Sequence, residues 1–332
     1  LERYIAIDNV CAWPNLTALP DGSLAATIYN RPVHGGWQGD VEVWVSTDDG
    51  YLWERRGAAA PGEDLGNRMN VAAGCAANGD LLVIASGWTP VLQPGTEDPD
   101  FAFRNREALD ARVCRSADGG RTWIWTDSVT VPDKKDRWFI PFGDISQGPA
   151  GLAAPFYSSP EEGGRNTSWI LRSSDDGASW GDGSLIAAAD FNETDILHLG
   201  DGRWLAACRT MKDGHVQLFA SQDDGRAWQD QGPLTLPGQH PPHLTNLADG
   251  RILLTYGIRN KGLYGVGVRH SDDQGDSWSS PRVLVQFEGA TDGGYPSSTQ
   301  RQNGTIVTAY YANRIATHGR YHMGVVRWTV ID

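Results

Sequence analysis

The sequence predicts an all-β protein, a six-bladed β-propeller of four-stranded sheets. The pattern Ser-x-Asp-x-Gly-x-x-Trp occurs five times, with its Trp at positions 53, 123, 180, 228 and 278. A second signal, an apolar–turn–apolar hairpin, alternates with the first: Leu19-Pro20-Asp21-Gly22-Ser23-Leu24 is followed by turns at Asn78-Gly79, Asp201-Gly202, Asp249-Gly250 and Asn303-Gly304. The composition agrees, because 40 Gly and 14 Trp in 332 residues suit tight turns between short strands and not a helical bundle.

Each element has a local reason. In Ser46-Thr47-Asp48-Asp49-Gly50-Tyr51-Leu52-Trp53, Asp48 is placed to accept backbone N–H bonds within the turn. Gly50 tolerates positive φ, and Trp53 folds back to bury its ring on the hairpin. The clips at Ser116–Trp123, Ser173–Trp180, Ser221–Trp228 and Ser271–Trp278 repeat that chemistry, so their Asp residues read as structural and not as metal ligands. Clip separations of 70, 57, 48 and 50 residues leave room for about four short strands per unit. Alternation supports strands at 252–258 and 265–270. Gln147-Gly148 stands where the third unit needs its turn, and a sixth unit running to Trp328 has no clip. Six such sheets close radially and remove exposed edges, whereas the other all-β solution would be two packed sandwiches. No Pro-, Ser- or charge-rich linker divides the chain, so residues 1–332 are expected to form one domain.

Charge and composition exclude some functions. A net charge of −13, without a basic stripe, argues against nucleic acid as a partner. No apolar run reaches the ~18 residues of a membrane helix. The four cysteines lack CxxC spacing and read as buried free thiols, and no ligand spacing implies a metal or other cofactor. Longer connections at about 87–111 and 132–164 carry Trp88, Phe101, Phe103, Trp138, Phe139 and Tyr157. These aromatics suit either stacking on sugar rings or a small satellite core. Lys134-Lys135 reads as a solvated loop.

The five clips resemble the Asp-box repeats of the sialidase-like six-bladed propellers, over nearly the whole chain. The segment from Phe191 through Glu193 to Arg209 resembles the sialidase segment that holds the Glu activating a tyrosine and ends in an arginine of the substrate-carboxylate clamp. Arg259 resembles another clamp arginine, and Asp292-Gly293-Gly294-Tyr295 the segment of the nucleophilic tyrosine. Tyr29 to Asp40 resembles the loop with a substrate-binding arginine and the acid/base aspartate, in the places of Arg31 and Asp40. His34 and Glu42 are rivals for proton transfer.

Where the family carries its first clamp arginine, this chain has Ala12, followed by Trp13, and Tyr311 stands near the place of the glutamate that orients that arginine. The resemblance thus implies catalytic Asp40, Glu193 and Tyr295, and substrate contacts from Trp13, Arg31, His34, Arg209, Arg259 and Asp292. Arg68 and Arg104 are candidates to replace the missing cation. The implied activity is an exo-acting, retaining glycoside hydrolase that releases a terminal acidic or otherwise unusual sugar from an oligosaccharide or glycoconjugate. A propeller lyase or inverting enzyme using His34, His240 or His243 is a second reading, and a carbohydrate-binding lectin a third.

Overall fold

The computed structural model describes residues 1–92, 98, 103–132, 134–135, 137–161, 163–288 and 292–330, and no helix occurs among them. Strand β1 (Glu2–Asp8) does not pair with its neighbour in sequence. Blade one is β2 (Cys11–Ala18), β3 (Leu24–Tyr29), β4 (Val41–Ser46) and β5 (Glu54–Ala60), in that order. Blade two is β6 (Asn70–Cys75), β7 (Leu81–Pro90), β8 (Arg106–Ser116) and β9 (Ile124–Thr126).

The inner strand of blade three is broken into β10 (Arg137–Pro141), β11 (Gly143–Asp144) and β12 (Ser146–Gly148). Both β10 and β12 pair with β13 (Gly151–Pro160), whereas β11 crosses to pair in parallel with β6. Blade three continues with β14 (Thr167–Ser173) and β15 (Gly181–Ala187). Blade four is β16 (Phe191–Gly200), β17 (Arg203–Thr210), β18 (Val216–Ser221) and β19 (Gln229–Pro233). Blade five is β20 (Gln239–Asn246), β21 (Ile252–Asn260), β22 (Leu263–Ser271) and β23 (Arg282–Gln286). Blade six is β24 (Gly293–Gln300), β25 (Ile306–Ala312) and β26 (His322–Trp328), completed by β1 from the other end of the chain.

This closure explains the missing sixth clip. Each clip is the hairpin between the third and fourth strands of a blade, and in blade six those two strands, β26 and β1, are not consecutive. The Asn-Gly and Asp-Gly turns join first to second strands, and in blade three Pro149-Ala150 makes the turn, just beyond Gln147-Gly148.

The clips are built alike. The Ser hydroxyl accepts the Gly N–H, at 2.8 Å for Gly50 and Gly177, and donates to the Asp carboxylate, at 2.8 Å in the first clip and 2.7 Å in the third. The same carboxylate accepts the N–H four residues beyond the Asp, at 2.9 Å for Leu52 and Ser179. The Trp indole donates to the Gly carbonyl, at 2.9 Å for Trp53 and 3.2 Å for Trp180.

The rings sit in the seams between blades. Trp53 packs with Val307 and Val325 of blade six, Trp123 beside the blade one–two core, and Trp180 with Leu82 and Ile84 of blade two. Every cysteine is free, and Cys75 is only half-buried, unlike Cys11, Cys114 and Cys208.

Candidate active site

First strands line the axis, so their starting ends, with the far ends of second strands, converge on one face. The inner strands depart from regular pairing there. The register shifts between Cys11 and Asn15, Phe191 and Thr194, Gln239 and Pro242, and Gly294 and Ser297. Such irregularities re-aim side chains. Trp13, Glu193 and Tyr295 lie within three of them.

Together they line a depression of about 280 Å³ with His34, Met69, Asn70, Trp88, Phe103, Arg106, Tyr157, Arg209 and Arg259. At its floor the Tyr295 hydroxyl donates to Glu193 Oε1 at 2.6 Å. Arg209 Nη1 donates to Glu193 Oε2 at 2.6 Å and to Tyr295 Oη at 3.3 Å. The Arg259 guanidinium lies 5.1 Å from the centre of the Tyr295 ring, and its buried Nε and Nη2 have no acceptor among the described residues. Arg209 Nε is likewise unpartnered.

The electrostatics reflect this packing. Burial alone would raise the Glu193 pKa, but the Arg209 charge and the bonds from Tyr295 and Arg209 outweigh it and hold the pKa below the ordinary value. Tyr295 goes the other way, because burial and the adjacent Glu193 charge push its phenol up. The pair is therefore a neutral phenol donating to an ionised carboxylate. Its backbone is strained: Tyr295 has φ +49°, preceded by Gly294 at φ +93°.

His34, exposed at the tip of the β3–β4 loop, is held by Asp292 Oδ1 at 2.7 Å from Nδ1. Tyr311 donates to that oxygen at 2.6 Å, and Tyr321 to the other carboxylate oxygen. Burial would raise the Asp292 carboxyl, but the His34 contact and the two phenols bring it down to about 2. Asp292 does not line the depression itself and acts on it through His34.

Two further expected site residues are not brought there. Asp40 spends its carboxylate on the Gly62 N–H (2.7 Å) and on Asn30 Nδ2 (3.0 Å), as a loop corner outside the depression. Arg31 is exposed and also outside the lining. The loop turns at Gly35-Gly36, and so presents His34 at its tip instead of either flank. Glu42 is engaged by Arg55 at 2.8 Å and by Trp44 at 3.1 Å.

Ala12 is fully buried in an apolar cluster with Cys11, Tyr29, Phe142, Tyr295 and Tyr311, so no cation enters at that position. Arg68 does not replace it, since it is buried on Glu63 and on the Asp110 carbonyl at 2.6 Å. Arg104 is exposed and outside the lining. The third guanidinium in the lining is Arg106, which sequence reasoning missed, along with Asn70 and Met69. Trp88, Phe103 and Tyr157 of the long connections also line the depression, Trp138 packs on Trp88 with ring centres 5.5 Å apart, and Phe139 joins the blade core. Phe101 lies outside the described residues. Lys134 pairs with Asp110 at 2.6 Å on the surface.

His240 is neutral: burial, with the Arg209 and Arg259 charges, brings its pKa down to about 3. His243 lies at the axis with Asp144 and Asp195, their ligand-type atoms within 4.8 Å of one another. This is the donor set among the described residues that could hold a metal ion, and its members are too far apart in sequence for spacing to show it. Each is already engaged within the protein. Asp195 accepts the Leu244 N–H at 2.7 Å and the Asp144 N–H at 3.0 Å, and His243 Nε2 is 3.3 Å from Asp144 and 3.0 Å from Ser297 Oγ.

A ring of six blades clipped in this way is a sialidase-like propeller. The chain belongs to the BNR repeat-like domain family, whose model matches residues 38–308. No curated protein matches it. Among solved structures it is similar to a protein of unknown function from Dyadobacter fermentans, with TM-score 0.82 and 21% identity over 98% of this chain and 97% of that one. It is also similar to the Hadza microbial sialidase Hz136 (TM-score 0.73, 18% identity, 97% of this chain) and to Trypanosoma rangeli sialidase in complex with the inhibitor DANA (TM-score 0.68, 17% identity, 98% of this chain). The chain spans 66% of the length of the first of these sialidases and 55% of the second. At such identities the likeness is one of fold.

Proposed function

We propose that the chain is an exo-acting, retaining glycoside hydrolase that releases a terminal acidic or otherwise unusual sugar from an oligosaccharide or glycoconjugate. The observation that carries this reading is the 2.6 Å hydrogen bond from the Tyr295 hydroxyl to Glu193, buried beneath Arg209 and Arg259. The Tyr295 oxygen attacks the anomeric carbon as its proton passes to Glu193, and the glycosidic C–O bond breaks. His34, steadied by Asp292, protonates the departing oxygen. Water then attacks the anomeric carbon as His34 takes its proton, the glycosyl–tyrosine bond breaks, and Glu193 returns a proton to the phenolate. Arg209 and Arg259 hold the sugar's acidic group, with two guanidinium groups and not three, which favours sugars other than the ordinary N-acetylneuraminic acid.

A panel of aryl glycosides with sialic, ulosonic, uronic, rhamnosyl and arabinosyl donors tests this, beside a Tyr295→Phe variant. The expected result is release of a sugar other than N-acetylneuraminic acid, with turnover reduced about 10³-fold or more in the variant. N-acetylneuraminides as the best donors by a wide margin would overturn the altered pocket. An unsaturated product absorbing in the ultraviolet would replace hydrolysis by elimination, and sugar binding without cleavage would leave a lectin.

A further inference from the structure

Arg106 has no counterpart in the expectations drawn from the sequence. It opens β8, in the connection that lengthens blade two, and its exposed side chain lines the depression. Its guanidinium lies 5.1 Å from the ring centre of Trp88 and 5.1 Å from that of Phe103. Trp88 is itself fixed, by its indole N–H to Asn70 Oδ1 at 3.0 Å and by edge-to-face contact with Trp138. A guanidinium held over aromatic rings in this way still has N–H donors to offer an anion. The hydrogen bond from Nη1 to the Phe103 carbonyl is long, at 3.5 Å.

Position adds the second half of the argument. Arg259 stands on blade five and Arg209 on blade four, and in a ring of six blades two and five are opposite. The depression therefore has a cationic wall at each side of Tyr295. Arg209 on one side is already neutralised by Glu193 at 2.6 Å, which leaves Arg259 and Arg106 as the guanidinium groups there that no carboxylate is described to pair. One planar anion on Arg259 and Arg209 does not use the opposite wall.

We propose that Arg106, stacked on Trp88 and Phe103, forms a second anion-recognising subsite, so that the substrate carries a further carboxylate or sulfate ester on the side of the sugar facing blade two. This deepens the glycosidase reading and rests on it for the position of the first acidic group. Aryl uronides compared with their O-sulfate and their carboxymethyl ether test it, in the wild type and in Arg106→Gln and Arg106→Lys.

The expected result is a kcat/KM about 10- to 100-fold higher for a doubly charged donor than for its singly charged parent, carried by KM. That ratio should fall toward one in Arg106→Gln and partly recover in Arg106→Lys. The sulfate and carboxymethyl arms identify which anion the edge of Arg106 prefers. A wild type with no such preference, or a preference unchanged in Arg106→Gln, would overturn the subsite.

Calorimetry separates this from failure of the hydrolase reading. With Tyr295→Phe protein and the methyl glycosides of the same sugars, tighter binding of the doubly charged sugar that depends on Arg106 supports the subsite even if nothing is cleaved. Equal binding of both sugars overturns it whether or not cleavage occurs.

Discussion

Tyr295, the proposed nucleophile, sits on a strained backbone. A tyrosine at φ +49° sits in a region that costs about 1–3 kcal/mol, and it is held there between Gly294 and the pairing of β24 with β25. Glu193 is held as firmly by charge. Because its pKa lies below the ordinary 4.5, more than half of it is ionised at pH 4.5. In the proposed mechanism Glu193 accepts the proton in its ionised form, so the midpoint of the acid limb of kcat/KM on the best donor should lie below pH 4.5. An acid limb well above pH 5 that persists in Glu193→Gln would assign the base to another group. The Glu193–Arg209 spacing was legible in the sequence because both residues belong to one hairpin. Asp40 was not, because the eleven-residue loop between β3 and β4 can present any of its side chains. Here it is His34, beside the glycines at 35 and 36, that lines the depression. Arg106 left no local signal, since only the ring brings blade two opposite blade five.

Among the elements, the clips were the most legible, and for a physical reason: each of their hydrogen bonds joins residues two to four apart. What they do beyond themselves was not legible. Gly177, at φ +85°, lies so close to the preceding blade that an added Cβ would stand 2.4 Å from Leu82 Cδ1. Its conformation and its contact both demand glycine. Gly177→Ala should lower stability by about 1–3 kcal/mol, read as a shift in the urea midpoint at unchanged m-value. No shift would mean that the seam between blades two and three yields easily. The register shifts of β2, β16, β20 and β24 escaped the sequence as well, because alternation shows which residues face inward but not where an extra residue lifts one from the ladder. Three of those shifts carry Trp13, Glu193 and Tyr295 of the depression.

For the molecule as a whole, the axis is the place where blades not adjacent in sequence are tied together. Asp195 of blade four is fully buried and accepts an N–H from Asp144 on one side and from Leu244 on the other. Asp195→Ala would leave those donors unpaired and remove a counter-charge of His243. It should destabilise by about 3–5 kcal/mol, measured by urea unfolding. A loss under ~1 kcal/mol would show that the ring does not depend on this staple. The other tie is β1, which pairs with β26 from Glu2↔Arg327 to Asp8↔His322. In a growing chain these partners appear more than 300 residues apart, so at about 5–20 residues per second β1 waits on the order of 15–60 s for its neighbour. Until β26 leaves the ribosome, the ring has five blades and two open edges. For that interval two sheet edges stay unpaired, and the ring is closed by the meeting of β1 with β26.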